Sequence, residues 1–359
     1  MFLAWNEIKR NKLKFSLIIS ILIMISYLLF LLSGLANGLI NMNTEGINKW
    51  NATSVVLNKN ANTTLAQSKF DQDLIDDQFT DVAKVRQPGV IASNGDIEEN
   101  ALIYGLEENS FIVPKIVDGT SPSQTNEVAI DKTLHDKGFN IDDTIEFAQS
   151  DVEVMITAIT ESAKYNASGV MFGNMELLSE INPQYKSDEI NAAIVKDEKF
   201  KKSDLDDSLE VVPINTFIEQ LPGYTAQNLT LNFMITFLFI ISAAVIGIFL
   251  YVITLQKTSL FGVLKAQGFT NGYLAKMVFS QTLILSLIGT VIGLLLTIIT
   301  GLFLPEAVPI AFNPFTLLLF AIILITVSLL GGIFSVLSIR KVDPLKTIGS
   351  VSYTHLRAH

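Results

Sequence analysis

Four stretches of this chain, Phe15–Leu39, Leu231–Leu255, Val278–Leu302 and Phe315–Ile339, carry no acidic or basic side chain. Roughly 20 apolar residues suffice to cross a bilayer as a helix. Inside a bilayer the backbone must satisfy its own polar groups, so each stretch is expected to be helical. The first is too long in its apolar core for a cleavable leader, and three more spans follow it. The expected organisation is a membrane protein with four transmembrane α-helices at 15–40, 231–255, 278–302 and 315–339. A large domain at 41–230 is inserted between the first and second.

Charge separates the two parts. From Glu45 to Glu219 there are 14 basic and 32 acidic residues, a balance of −18, within a chain whose overall charge is −10. The apolar frame is basic, and its Lys and Arg cluster at span ends. Lys9, Arg10, Lys12 and Lys14 precede the first span. Lys257, Lys265 and Lys276 lie between the second and third. Arg340, Lys341 and Lys346 follow the fourth, and 303–314 has none. Basic residues stay on the inner side. This predicts a cytoplasmic segment at 1–14, a cytoplasmic loop at 256–277, a cytoplasmic C-terminal segment at 340–350, and an extracellular domain and 303–314 loop. Phe2, Trp5 and Ile8 recur at helical spacing beside basic residues, as in an interfacial helix lying on lipid.

The inserted domain reads as α+β. Strands are predicted at 53–57, 126–130, 144–148 and 152–159 from alternation and β-branched residues, and helices at 174–181 and 215–221. The stretch 222–234 is expected to form a stalk into the second span. Several kinds of chemistry are missing. There is no Cys, no G-x-x-x-x-G-K-[ST] loop and no H-E-x-x-H. The acidic clusters Asp71/Asp73/Asp76/Asp77 and Asp204/Asp206/Asp207 lack EF-hand spacing. No catalytic or metal site is expected, no covalently bound cofactor, and no nucleic-acid partner. No span holds the acid or base that ion relays use, so the energy for any work must come from a partner.

Between the second and third spans stands "QKTSLFGVLKAQGFTNGYL". Leu260, Val263 and Leu264 fall at i, i+3, i+4 and form one apolar stripe flanked by Lys257 and Lys265. Gly268 can supply a left-handed C-cap and Thr270 can cap the next helix. Such a helix is either a rigid peg for a cytoplasmic partner or an amphipathic loop on the inner membrane surface. Gly34/Gly38, Ala243/Gly247 and Gly289/Gly293 have the small-xxx-small spacing that lets helices approach closely. Gly34 and Gly38 are expected at a contact between two copies of the chain. The last nine residues, "VSYTHLRAH" (351–359), resemble a translated sequencing adapter, and are expected to be foreign to the natural protein. Without them only His135 remains, and it is read as a surface helix residue.

The stretch "QKTSLFGVLKAQGFTNGYLAKMVFSQTLILSLIGTVIGL" resembles the cytoplasmic loop and third span of FtsX/MacB-type (type VII) ABC transporter permeases, which carry a version of E-I-G-V-L-R-A-L-G there. Leu260 and Phe261 depart from that pattern. "NEVAIDKTLHDKGFNIDDTIEF" with "VEVMITAI" resembles their extracellular domain, and "IRKVDPLKTIGS" their C-terminal ending. "LLSGLANGL", "FLYVITLQK" and "KVDPLKTIG" are similar to the haem-exporting members. The resemblance implies a permease subunit in a bacterial cell membrane, with no ATPase site of its own. It would act as a homodimer with two copies of a cytoplasmic ATPase, which binds the ATP. Lys257, Leu260, Val263, Leu264, Lys265 and Gly268 would form the coupling helix, and movement would be passed on mechanically. The implied cargo is haem or a similar amphipathic molecule. Peptide, drug or lipid export, or signalling to a cell-wall hydrolase, are the other outcomes in the family. For haem, no His lies in or near a span, which leaves Met, Tyr and carboxylate as axial ligands. Met42 and Glu45, with Tyr224 and Met234, are the candidates near the outer ends of the first two spans.

Overall fold

The computed structural model describes residues 2–340 except 77, 96, 149, 184, 187, 197–204 and 306–307, with side chains described from 5 to 332. Lys341, Lys346 and the adapter-like tail fall outside the described residues. The chain forms two compact units, 1–38 with 229–359, and 39–228.

The first unit holds the apolar helices. A short helix α1 (Phe2–Arg10) is separated from α2 (Lys12–Lys49) by a single residue, Asn11. In the 39–228 unit come α3 (Lys132–His135), α4 (Met175–Ile181) and α5 (Ile214–Glu219). Then follow α6 (Tyr224–Gln256), α7 (Thr258–Ala266), α8 (Asn271–Phe303) and α9 (Pro314–Arg340). Four of these, α2, α6, α8 and α9, are long and apolar enough to cross a membrane. Both α2 and α6 run past the ends of the uncharged stretches, to Lys49 and back to Tyr224. The expected stalk at 222–234 is therefore, from Tyr224 onward, the first part of α6 itself, after the break at Pro222-Gly223.

Glycines set the helix contacts of this unit. A Cβ on Gly289 would lie 2.5 Å from Leu22 Cβ, and one on Gly293 2.9 Å from Ser26 Cβ, so α2 and α8 touch along the small-xxx-small face. Ser26 Oγ donates to the Gly289 carbonyl at 3.1 Å, and the Tyr27 and Thr300 hydroxyls pair at 3.1 Å. On the other side, a Cβ at Gly331 of α9 would be 3.1 Å from the Ala243 carbonyl of α6 and 3.1 Å from Gly247 N. Ile8, Phe15, Ile18 and Leu22 pack with Ile246, Leu250 and Leu285.

The 39–228 unit is α+β. Strands Gly169–Asn174, Glu127–Asp131, Ser150–Thr160, Thr144–Phe147, Gly89–Ser93 and Glu98–Leu106 pair in that order. The last returns to the first in parallel register, Gly169 opposite Ala101 through Asn174 opposite Leu106, which closes a six-strand ring. Ile103, Val128, Ile130, Val154, Ile156 and Met171 fill one core. From Glu98–Leu106 the sheet continues through Val82–Arg86, Ala192–Val195, Ser54–Asn58 and Leu209–Pro213. A second core there gathers on Trp50, whose ring lies 6.4 Å from each of Tyr104, Tyr165 and Phe217. The four strands expected from alternation are present within about one or two residues of their predicted ends. Others, such as Ala192–Val195, carry no alternation because every position is buried.

Filling a helix contact should cost more than filling an open glycine. Gly293→Leu is expected to lower the thermal midpoint in detergent by an amount matching roughly 1–3 kcal/mol of overpacking. Gly272→Ala, where the nearest atom to an added Cβ is 3.9 Å away, should leave it unchanged or slightly raised. Thermal unfolding followed by light scattering and tryptophan fluorescence compares the two.

Candidate functional site

The 256–274 stretch folds into α7 and two tight junctions. A helix of nine residues is too short to persist alone, so packing and caps must hold it. Phe261 supplies the packing: it is fully buried against Leu274 and Val278 of α8, with Leu264 and Met277 partly buried beside it. The opposite face is open, with Leu260 45 % and Val263 43 % exposed. The predicted stripe is thus divided. Leu260 and Val263 face outward, while Leu264 turns inward with Phe261.

The C-terminal end is closed by Gly268. Its φ of +92° is left-handed backbone, its N–H bonds the Lys265 carbonyl at 3.0 Å, and the Phe269 N–H reaches the Leu264 carbonyl at 3.1 Å. This pair of bonds is a Schellman motif. Two residues on, Thr270 Oγ1 accepts from Tyr273 N–H at 3.3 Å and caps α8. Phe269 and Tyr273 are also exposed, with ring centroids 5.0 Å apart.

The two lysines do not behave alike. Lys265 is half-buried near the end of α7. Lys257 is the single non-helical residue between α6 and α7, and its ammonium points inward. It forms an ion pair with Glu7 of α1 and lies 4.9 Å from the centre of the Phe15 ring. Lys257 flanks the stripe in sequence, and its charge is used within the chain. Glu7 was not singled out from the sequence, and Phe261 only as a departure from the family pattern.

Gly34 and Gly38 also have their neighbours in the same chain. A Cβ on Gly38 would collide with the Pro309 carbonyl, and one on Gly34 would lie 2.8 Å from Phe312 Cδ1. Ala311 N–H donates to the Gly34 carbonyl at 3.0 Å. Within one chain the loop after α8 lies on this face of α2, and a contact between two copies at these glycines stays a proposal.

The four candidate cargo residues lie in both units. Met42 and Glu45, half-buried near the end of α2, face the 162–168 segment of the inserted domain. Ala167 N–H bonds the Met42 carbonyl at 2.9 Å, Gly46 N–H the Lys164 carbonyl at 2.8 Å, and Ser162 Oγ donates to Glu45 at 2.8 Å. Asp131 holds the same segment from below by accepting from Ala163 N–H at 3.0 Å, and burial raises its carboxyl above the usual range. Tyr224 packs on the Trp50 core. Met234 belongs to the helical unit and is 46 % exposed. Among the described residues, no group of three or more His, Asp or Glu could hold a metal ion.

Residues 232–344 match the FtsX-like permease C-terminal family. A protein of Staphylococcus haemolyticus that carries the name hemin transport system permease protein HrtB is 27 % identical over 98 % of this chain and all of its own length. Its namesake in Staphylococcus epidermidis is 26 % identical over 97 % of this chain and 99 % of that one. The solved periplasmic region of MacB from Actinobacillus actinomycetemcomitans aligns at a TM-score of 0.36 with 11 % identity, covering 51 % of this chain and 97 % of that one. Over residues 232–344 the chain is thus similar to the FtsX-like permeases. It is similar to the HrtB permeases from end to end.

A side chain at position 268 must adopt the left-handed backbone. Gly268→Ala should raise local opening of the α7 C-terminus about tenfold, matching a cost of roughly 1–2 kcal/mol, and Gly268→Asn should raise it less. Hydrogen exchange at the amides of residues 264–269 reads the difference.

Proposed function

We propose that the chain is the membrane subunit of an ATP-driven exporter, in which two copies of the chain work with two copies of the ATPase. The exposed face of α7 is the surface pressed by the ATPase. The observation that carries this is the pairing of Leu260 and Val263, each nearly half exposed, on a helix capped at its end and seated by Phe261. A short rigid element with an apolar outer face suits a partner groove. The distribution of Lys and Arg supports a cytoplasmic side for this helix and both termini, with the inserted domain outside. The uncharged spans favour mechanical transmission over an ion relay.

Val263→Asp should weaken co-purification of the ATPase with the tagged permease at least tenfold, since a carboxylate would be desolvated in the contact. Membrane yield should be unchanged, because Val263 packs outward. Wild-type association in this variant and in Leu260→Asp would remove the coupling role.

The cargo reading follows the hemin named for the relatives, and extends to haem or a similar amphipathic molecule. Met42, Glu45, Tyr224 and Met234 are its candidate contacts. Purified permease in detergent should give a saturable Soret shift with haem, weakened several-fold in Met42→Ala or Glu45→Ala. Glu45→Gln, which can still accept from Ser162, separates loss of a ligand from loss of that hydrogen bond. Binding untouched by every variant removes this site. No binding at all favours peptide, drug or lipid export, or signalling to a cell-wall hydrolase.

A further inference from the structure

Two helix junctions meet at one end of the helical unit, and each is a single residue wide. Asn11 separates α1 from α2, and Lys257 separates α6 from α7. At Lys257 the backbone leaves the helical region, with φ −100° and ψ 9°, and no side chain caps α7 there. The direction in which α7 departs from α6 is therefore set by the dihedrals of one residue. That residue is not free to turn. Its ammonium is paired with Glu7 and rests against Phe15, and both charged side chains are only 14 % exposed.

Glu7 is held in turn. Gln281 Nε2 of α8 donates to its second carboxylate oxygen. Next to the junction, Lys14 Nζ donates to Gln256 Oε1 at 2.8 Å, a second tie between α2 and the last residue of α6. Ile8, buried beside Phe15, presses α1 onto the same place. Glu7 is one of only three acidic residues outside 45–219, and the sole one before the first span. An acid among four nearby basic residues could pair locally. Instead it reaches a residue 250 positions away and shares a pocket closed by an aromatic ring.

We infer that Glu7 is a positioning residue for α7: by anchoring Lys257 at the α6–α7 junction, α1 fixes the angle of the helix that carries Leu260 and Val263. The inference rests on the coupling role proposed above for its consequence in transport, while the anchoring itself can be measured without the ATPase. A desolvated charge pair holds geometry well, because removing one member strands the other in a site that excludes water. The aromatic ring adds attraction for the cation specifically. α1 is then a brace on the coupling helix as well as a surface anchor.

The test uses the absence of Cys from the chain. Spin labels are placed at two exposed positions, Lys9→Cys on α1 and Ala266→Cys on α7, and their distance distribution is measured by pulsed EPR on the full-length permease in lipid nanodiscs. The labelled wild type should give one narrow distribution. Glu7→Gln, nearly isosteric, should widen it at least twofold, as should Lys257→Glu. Lys257→Arg should keep it narrow. Glu7→Lys combined with Lys257→Glu should recover at least half of the lost narrowness, since Gln281 can turn its amide to offer the carbonyl. An unchanged width in Glu7→Gln, or a double exchange as wide as Lys257→Glu alone, would overturn the inference. ATPase co-purification in the same set separates the two proposals. A widened distribution in Glu7→Gln, with normal ATPase binding in Val263→Asp, would sink the coupling role and leave the brace standing.

Discussion

Close approach at glycine is the contact on which the membrane unit depends. Helices in lipid gain little from hiding apolar surface from one another, because the tails are equally apolar. Dispersion and backbone polarity must then do the work, and both fall off steeply with distance. Gly289 and Gly293 bring α8 against Leu22 and Ser26, Gly331 brings α9 against Ala243 and Gly247, and Gly34 and Gly38 admit the Pro309–Phe312 loop. Some serine and threonine hydroxyls in these seams bond to carbonyls on the facing helix or on their own, such as Ser26 to Gly289 and Thr297 to Gly293, while those of Ser242 and Thr290 are buried without such a partner. No ionised group is needed within the spans, which matches their composition.

Much of this was legible in the sequence, and the reasons are physical. Long uncharged runs have one stable outcome in a bilayer, so the four spans were readable without tertiary information. The left-handed residue at 268 and the cap at Thr270 are local and carry their own residue preferences. What stayed hidden depends on partners distant in the chain. The glycines of α2 announce a close neighbour but not which one, and the neighbour is a loop some 270 residues away. The periodicity at 260–264 marks an apolar face. Which part of it is buried depends on Leu274 and Val278, and Phe261 lies just off the predicted stripe. In the inserted domain, fully buried strands such as Ala192–Val195 lack the alternation that exposes half-buried ones.

The candidate cargo residues show a related ambiguity. Met42 and Glu45 attract notice as soft and anionic groups near a span end. Their surroundings also give them a structural task, docking the 162–168 segment on α2 through Gly46, where a Cβ would lie 2.6 Å from the Ala163 carbonyl. Lys49 extends the same seam, with its ammonium 3.3 Å from Glu161. Docking uses the backbone of Met42, so its thioether is uncommitted by these bonds. The carboxylate of Glu45 accepts one hydroxyl and retains further lone pairs. The proposed capture of a ligand is therefore compatible with this packing, through the free thioether of Met42 and the remaining lone pairs of the Glu45 carboxylate.

The helical unit has an asymmetry that bears on how force could pass through it. At the α7 end, charge is abundant and paired across helices: Glu7 with Lys257 and Gln281, Lys14 with Gln256. Along the spans, contacts are small, apolar and close. A push on α7 first meets the junction at Lys257, where the chain could bend. If that residue were unrestrained, the dihedrals there would absorb the displacement and α6 would feel little of it. On the proposed coupling role, anchoring the junction through α1 would remove that compliance, and displacement would pass to α6 and, through Gln281, to α8. In that proposal a short helix between two spans transmits a push only when its root is stiff, and the stiffening is assigned to an acid 250 residues earlier in the sequence.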